Sequence, residues 1–450
     1  MLFRRVVFTV GVAAAVLTCV VPAAGPVTVS IDASRKYQTF RGWEAAILPS
    51  VLDYVRDLPE FGTVAQLAAG DLGVTRLRVD VPSGTEGPPG YGARYINRQI
   101  TERELFSEHA YNIVNDNNDP KVANLAAFDF SILDWQMSNL VIPYKQALEA
   151  TGQKLYLYLT YVDFGKSPFE HMEHPAEYGE FMLVLFEHIK STYGFVPDGI
   201  DVMNEPDNVA GWTGPVMGQM IAAAGSRLAA AGYHPDFIAP STVNRANAVP
   251  YLEGILTVRG ASRYLKTVSF HCYSDYGQET LEKIGAAAAR RGLESAQNEC
   301  WRPENTARSL LDDLKRGRTS AWQQATLRGR NGYYSVDRTI PGVQLNAKTK
   351  LMRQYYKYIR PGAVRVEART DDAGMDPVAF IGPDGRYVVV VLAQAPGVVN
   401  VDRLPPGSYE ITFTTASEFD VHAPDVHIAA GEAVSASIPA AGVLTIRGKS

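Results

Sequence analysis

The sequence predicts an α/β fold: a (β/α)8 TIM barrel with a C-terminal β-sandwich side domain. Three observations carry that expectation. Eight apolar segments rich in β-branched residues and Tyr recur with helical patterns between them, as βα units require. The pattern then changes after Leu351: one helical stretch ends at Arg360-Pro361-Gly362, and short strands separated by turn signals follow one another. The composition, 46% hydrophobic and only 20% charged, excludes a disordered chain, which needs low hydrophobicity and high net charge.

Before the barrel, Arg4 and Arg5 open the chain, Val6 to Val21 is nearly all apolar, and Val21-Pro22-Ala23-Ala24 supplies small residues for cleavage. Residues 1–24 are therefore expected to be a signal peptide, and the protein to be secreted or periplasmic. The apolar run is shorter than the ~20 residues that span a bilayer, so no membrane association is expected after cleavage. Without Arg4 and Arg5 the net charge falls from −5 by two, to −7. An acidic balance of 43 Lys+Arg against 48 Asp+Glu argues against a nucleic-acid partner, which calls for a basic patch or stripe.

The barrel is expected over residues 36–345. Its strands are predicted at Phe40–Ile47, Val74–Val81, Lys154–Val162, Gly199–Asn204, Asp236–Thr242, Thr267–Tyr273, Leu293–Glu299 and Ser320–Leu327. Between them, Phe181, Met182, Val184, Leu185 and Ile189 recur at helical spacing within Pro175–Tyr193, and the Ala-rich run Val216–Ala231 stops at Gly232. Residues 346–450 are expected to form a linker helix, Lys350–Ile359, and the sandwich. Its strands are predicted at Ala363–Ala368, Pro377–Ile381, Tyr387–Gln394, Val398–Asp402, Gly407–Thr414, Val426–Ile428, Ala433–Ile438 and Gly442–Arg447. Gly382-Pro383-Asp384-Gly385 and Pro405-Pro406-Gly407 mark turns between them. Residues 26–35 alternate like a strand and are expected to pair into the sandwich.

A barrel of this kind carries its site at the C-terminal strand ends. The fourth strand runs into Asn204-Glu205-Pro206-Asp207, and the seventh ends Gln297-Asn298-Glu299-Cys300-Trp301. The spacing of Glu205 and Glu299 equals three βα repeats of about 30 residues, which carries the chain from the fourth strand to the seventh. Two carboxylates across a barrel mouth are what glycoside hydrolysis needs: one protonates the leaving oxygen, and the other attacks the anomeric carbon or activates water. A carbohydrate substrate is the expected partner, with no cofactor and no metal; the oligomeric state stays open.

At this point the sequence resembles the retaining glycoside hydrolases of clan A, and within them glycoside hydrolase family 30, over nearly all of the chain after the signal. Asn204-Glu205 resembles the pair that supplies the clan's acid/base, and Glu299 the residue that supplies its nucleophile. Arg78 looks like the second-strand Arg that keeps the nucleophile ionised. His271-Cys272-Tyr273 resembles the sixth-strand element whose Tyr hydrogen-bonds the nucleophile. Outside the site, Gln38-Thr39-Phe40-Arg41-Gly42-Trp43 is similar to the family's entry to the first strand. Tyr358-Ile359-Arg360-Pro361-Gly362-Ala363-Val364-Arg365 is similar to its link from barrel to sandwich. The resemblance implies hydrolysis of β-glycosides with retention, and carboxyl groups about 5–5.5 Å apart rather than the about 6.5–9.5 Å of an inverting pair. The sequence departs from the family at Trp43-Glu44 and along Leu159-Thr160-Tyr161-Val162-Asp163-Phe164, both expected to line the sugar-binding end, so no particular sugar is implied. A carbohydrate-binding protein without turnover and a transglycosylase on the same site are the alternatives.

Trp43, Tyr161, Trp212, Tyr273, Trp301 and Trp322 are candidate stacking platforms for sugar rings, with Trp301 and Trp322 favoured and core packing the alternative for each. Cys272 and Cys300 are expected as two buried free thiols, a bridge being the alternative. His171 and His174 are expected in a solvated polar loop. Asn115-Asp116-Asn117-Asn118-Asp119-Pro120 is rich in oxygen ligands but lacks the spacing of a calcium loop, and is expected as a turn-rich surface segment, with a substrate loop second.

Overall fold

A computed structural model describes residues 25–51, 60–165, 167–275, 277–302, 305–337 and 342–449. Residues 1–24, on which the signal-peptide expectation rests, lie outside the described residues.

The chain begins with β1 (Val27–Thr39) and then enters a closed eight-stranded barrel. The barrel strands are β2 (Gly42–Ile47), β3 (Val74–Pro82), β4 (Tyr156–Val162), β5 (Gly199–Asp201), β6 (Asp236–Asn244), β7 (Leu265–Ser274), β8 (Glu294–Glu299) and β9 (Thr319–Thr326). Each is parallel to its neighbours, and β9 closes onto β2 through Gly42↔Ala321 and Trp43↔Trp322. The described helices of six residues or more that surround and connect these strands are α1 (Phe61–Leu67), α2 (Tyr91–Ile96), α3 (Ser131–Gln136), α4 (Ile142–Glu149), α5 (Pro175–Tyr193), α6 (Gly214–Ala230), α7 (Arg245–Leu256), α8 (Gln278–Arg290), α9 (Ala307–Lys315) and α10 (Ala347–Tyr356). The predicted fold class holds.

Strand β3 shows why this sequence makes a barrel with a chemically equipped centre. Its side chains alternate in direction. Leu77, Val79 and Val81 join the apolar cluster packed under the helices, while Arg76, Arg78 and Asp80 find polar partners from other strands or from one another. Arg76 Nε donates to Glu44 Oε2 at 2.9 Å, and Gln323 Nε2 donates to Glu44 Oε1 at 3.0 Å. Asp201 accepts from Ser241 Oγ at 2.8 Å and Asn298 Nδ2 at 3.1 Å. The interior is thus hydrogen-bonded rather than filled by aliphatic layers, and each buried charge has a partner, as burial of charge demands.

Two stretches differ from the sequence expectation. Strand β5 ends at Asp201 rather than Asn204, because the chain turns: Glu205 adopts a left-handed backbone, φ 54° and ψ 53°. The amides of Asn204 and Glu205 still donate to Tyr161 O (2.9 Å) and Ser241 O (3.2 Å), which keeps the turn anchored to β4 and β6. The segment 83–130, between β3 and α3, was given no element by the sequence, and within it only 115–120 was expected as a turn-rich surface. It carries α2 and its own small core of Tyr91, Tyr95, Ile100, Leu105 and Ala110 with Ile132.

After α10 come β10 (Val364–Thr370), β11 (Met375–Ile381), β12 (Tyr387–Ala393), β13 (Gly397–Asp402), β14 (Gly407–Thr415), β15 (Val421–Ile428), β16 (Val434–Ile438) and β17 (Gly442–Gly448). With β1 they form one nine-stranded sheet in the order β15-β14-β17-β12-β11-β10-β1-β13-β16, folded around a core that includes Val29, Val389, Val401, Ile411 and Leu444. β1 pairs antiparallel with β10 and parallel with β13. Helix α10 starts at Ala347 and ends at Tyr356, short of the expected Ile359. It joins the two parts: Arg353 forks onto Asp71 (2.6 Å twice) and reaches Asp420 (2.7 Å), and Gln354 bonds Thr412 and Thr414.

Candidate active site

The C-terminal ends of β3, β5, β7 and β8 bring Arg78, Asn204, Glu205, His271, Tyr273 and Glu299 together. Arg78 is fully buried and is the hub. It forks onto Asp80 (Nε to Oδ1 2.7 Å, Nη2 to Oδ2 3.2 Å), donates to Asn204 Oδ1 at 2.9 Å and to the Asn298 carbonyl at 3.2 Å, and pairs with Glu299 Oε2 at 2.7 Å. The other oxygen of Glu299 accepts from the Tyr273 hydroxyl at 2.6 Å.

Glu205 faces Glu299 across His271. His271 Nδ1 lies 3.1 Å from Glu205 Oε1 and 3.8 Å from Glu299 Oε1, and Asn208 Nδ2 donates to Glu205 Oε2 at 2.9 Å. One oxygen of each carboxylate and one ring nitrogen lie within 4.8 Å of one another. Such a triplet has metal-ligand composition, but both Glu299 oxygens are already committed, one to a guanidinium and one to a phenol, so a cation there would have to displace them.

The electrostatics set the charge on Glu299 and His271. Burial pushes the Glu299 carboxyl up, but the charge of Arg78, then His271, then the Tyr273 hydrogen bond outweigh it, and the group is held below the ordinary Glu range. His271 is raised: burial works against its charge, and Glu299 and Glu205 more than compensate. Asp80 is pushed up to about 6 by burial, with Arg78 opposing.

A cavity of about 450 Å³ opens above these groups, lined among others by Asp80, Asn204, Glu205, Tyr273, Glu299 and Trp301. Glu102, Phe106 and Tyr111 from the segment 83–130 also line it, with Val162 at the end of β4 and Phe164 just beyond. A second cavity of about 380 Å³ lies where β1 meets the barrel, between Lys36–Thr39, Arg41, Glu294 and Arg318. Its carboxylate, Glu294, is paired with Arg41, and no facing pair of acids lines it.

Several sequence expectations need correction. Trp43 and Trp322 are fully buried and do not line the cavity. Trp43 donates its indole N–H to the Ile359 carbonyl at 2.9 Å and packs on Tyr356, and Trp322 donates to Asp313 at 2.9 Å. Both lie early on their strands and point outward, toward helices. Glu44 likewise belongs to the barrel interior with Arg76, not to the sugar-binding end. Tyr161 and Trp212 pack against each other and against Tyr178. Of the six aromatics, Tyr273 and Trp301 reach the cavity. Cys272 and Cys300 form a disulfide, Cα–Cα 5.2 Å, because adjacent β7 and β8 bring them side by side. His171 is buried rather than solvated: Nδ1 meets the Tyr161 hydroxyl and Nε2 meets Glu86 Oε2, each at 2.9 Å. Asp80, Asn208 and Asn298 escaped the sequence reading. Alternation along β3 from Arg78 to Asp80 was the available signal for the first; the other two have no local signature.

Residues 362–446 match the family model described as the glycosyl hydrolase family 30 beta sandwich domain. No curated protein matches the chain in sequence. Among solved structures, the catalytic domain of the family 30 xylanase C from Talaromyces cellulolyticus superposes with a TM-score of 0.69 at 14% identity, covering 94% of this chain and 100% of that one. A family 30 endoxylanase from Clostridium papyrosolvens C71 gives 0.68 at 18% identity, covering 95% and 100%. An endo-β1,6-glucanase gives 0.65 at 16%, covering 95% and 94%. At these identities the likeness is one of fold. The chain is thus similar to glycoside hydrolase family 30, in sequence over its sandwich and in fold over barrel and sandwich together.

Proposed function

We propose that this protein is an exported glycoside hydrolase that cleaves β-linked glycosides or polysaccharides with retention, by double displacement. The observation that carries the proposal is the facing pair Glu205 and Glu299, one oxygen of each lying within 4.8 Å of the other and of a ring nitrogen of His271. That spacing favours the about 5–5.5 Å geometry of a retaining pair over the about 6.5–9.5 Å that leaves room for a water.

The roles follow from the environments. Glu299, ionised beside Arg78, attacks the anomeric carbon; the C–O bond to the aglycone breaks as Glu205 gives its proton to the leaving oxygen. Glu205 then takes a proton from water, whose oxygen attacks the anomeric carbon and releases Glu299. Asn204 has its Oδ1 turned to Arg78, which leaves its Nδ2 for the sugar 2-OH, a contact that strengthens in the transition state. Trp301 and Tyr273 offer aromatic surface beside the reacting carbon. The solved structures similar in fold are two xylanases and an endo-β1,6-glucanase, which supports β-linked polysaccharide as the class to screen first. Export rests on the character of residues 1–24 and on a disulfide beside the site, since disulfides persist in oxidising compartments.

The test is a panel of aryl β-glycosides and β-linked polysaccharides with proton NMR of the first-formed anomer. Retained configuration, lost in Glu299→Gln without loss of fold, is the expected result. Inverted product sinks the mechanism, and binding without turnover sinks the enzyme.

A further inference from the structure

Away from the site, the loop 115–119 of the segment 83–130 meets helix α5. Glu177 and Glu180 stand three residues apart on that helix, hence on one face, and Asp116 approaches them from the loop. One oxygen of each of the three lies within 4.8 Å of the others. Glu177 is 8% exposed and Glu180 2%. Both carboxylate oxygens of Glu180, and Oδ1 of Asp116, are buried without a hydrogen-bond partner. The other oxygen of Asp116 is fully used: it accepts from Asn117 Nδ2 at 2.9 Å and from the Asn124 amide, while the Asp116 amide donates to Glu86 Oε1 at 3.0 Å. The loop is therefore held with one bare carboxylate oxygen turned toward two more.

The facing cation is Arg227 of α6. Its Nη2 stands 3.6 Å from Glu180 Oε1, beyond hydrogen-bond reach, and its Nη1 donates to the Pro120 carbonyl. Three carboxyl groups thus gather around one guanidinium, which reaches Glu180 alone and at 3.6 Å, where burial makes unpaired charge costly. The donors are all hard oxygens, with no His or Cys among them, which suits calcium better than a transition metal.

We propose that Asp116, Glu177 and Glu180 bind a calcium ion that fastens the 115–124 loop to helix α5. A divalent ion would bring positive charge to Asp116 and Glu177, which Arg227 does not reach. The ligands come from a loop and a helix, so no consecutive calcium-loop spacing exists for the sequence to display. The ion's role is structural: the segment it pins also carries Glu102, Phe106 and Tyr111, which wall the catalytic cavity.

The test uses the whole protein stripped with chelator and titrated with CaCl2 alone, by calorimetry and by thermal unfolding, with MgCl2 as the comparison salt. The expected result is one equivalent bound, with a Kd at or below the ~10⁻⁴–10⁻³ M of extracellular calcium modules, and a Tm that climbs with CaCl2 as linkage requires. Glu180→Gln should abolish both. Asp116→Asn, at a less buried loop position, should weaken both and guards against a folding failure in the first variant. No heat and no Tm rise in the parent overturns the proposal, as does a rise that persists in both variants. A proton shared by Glu177 and Glu180 would be the alternative occupant, giving a parent indifferent to CaCl2 and a Glu180→Gln variant at least as stable.

Discussion

Arg78 Nη1 stands 2.7 Å from Glu299 Oε2, and both side chains are buried. A buried carboxylate alone would take up a proton; the guanidinium reverses that preference and keeps a negatively charged carboxylate at the cavity wall. Because Arg78 also holds Asp80 and Asn204, the same cation that sets the charge on Glu299 orients the residues around it.

The first prediction concerns pH. The folded Glu299 carboxyl is held below its unfolded value, so it contributes stability above the ordinary Glu pKa and loses it as pH falls through the lower folded one. The acid limb of kcat/KM should follow the folded value. Tyr273→Phe removes the 2.6 Å hydrogen bond that favours the ionised form, and should move that limb upward. A charged hydrogen bond of about 1.5–3 kcal/mol corresponds to a loss of roughly 10- to 100-fold in kcat/KM. A pH–rate profile identical to the parent's would remove Tyr273 from this role.

Glu205→Gln provides the second. An acid matters most when the leaving group is poor, and general acid–base catalysis contributes about 10²–10⁴-fold. The variant should therefore lose roughly that factor on a polysaccharide or alkyl glycoside, and far less in the first step on an activated aryl glycoside, where a burst of released phenol should survive. Equal losses on both substrates would assign Glu205 another task.

The parts of the site that were legible in the sequence are those fixed by strand ends. Asn204-Glu205-Pro206 and Glu299-Cys300-Trp301 announce themselves because a barrel puts its chemistry where strands stop, whereas Arg78 is legible only through its resemblance to the second-strand Arg of the clan A glycosidases. Exposure of aromatics was not legible. Trp43 and Trp322 sit on barrel strands, but a strand alternates, and a shift of one residue moves a side chain from the mouth or interior to the helix-facing side. The segment 83–130 was opaque for another reason: its small core of Tyr91, Tyr95 and Leu105 has neither helical nor strand period long enough to register. Pairing of Cys272 with Cys300 depended on β7 and β8 being neighbours in register, which spacing alone does not give.

That disulfide makes the third prediction. It joins the residue before Tyr273 to the residue after Glu299, so it braces the pair that forms the 2.6 Å hydrogen bond. Cys272→Ser with Cys300→Ser should cost about 2–4 kcal/mol of stability, the usual worth of a cross-link, and lower kcat/KM more than a distant destabilising change of equal size. Thermal unfolding with and without reductant, beside mass spectrometry of alkylated peptides, checks both parts. Two alkylated thiols in the untreated protein would contradict the bridge.

The last prediction separates two of the tryptophans that the sequence offered as sugar platforms. Trp43 is wholly enclosed, with its N–H on the Ile359 carbonyl, Tyr356 at 4.8 Å and Phe40 at 4.4 Å between ring centroids. Trp43→Ala leaves a large void and an unpaired carbonyl, and should cost about 3–5 kcal/mol, lowering Tm while leaving KM for the folded fraction unchanged. Trp301 is half-buried and faces the cavity beside Glu299, so Trp301→Ala should do the reverse: a small change in Tm, and a rise in KM of roughly 5- to 10-fold, matching the about 1 kcal/mol by which an aromatic contact exceeds its burial. The crossed pattern is what distinguishes a core ring from a sugar platform. If Trp301→Ala changes Tm and not KM, no ring sits on Trp301 during the reaction.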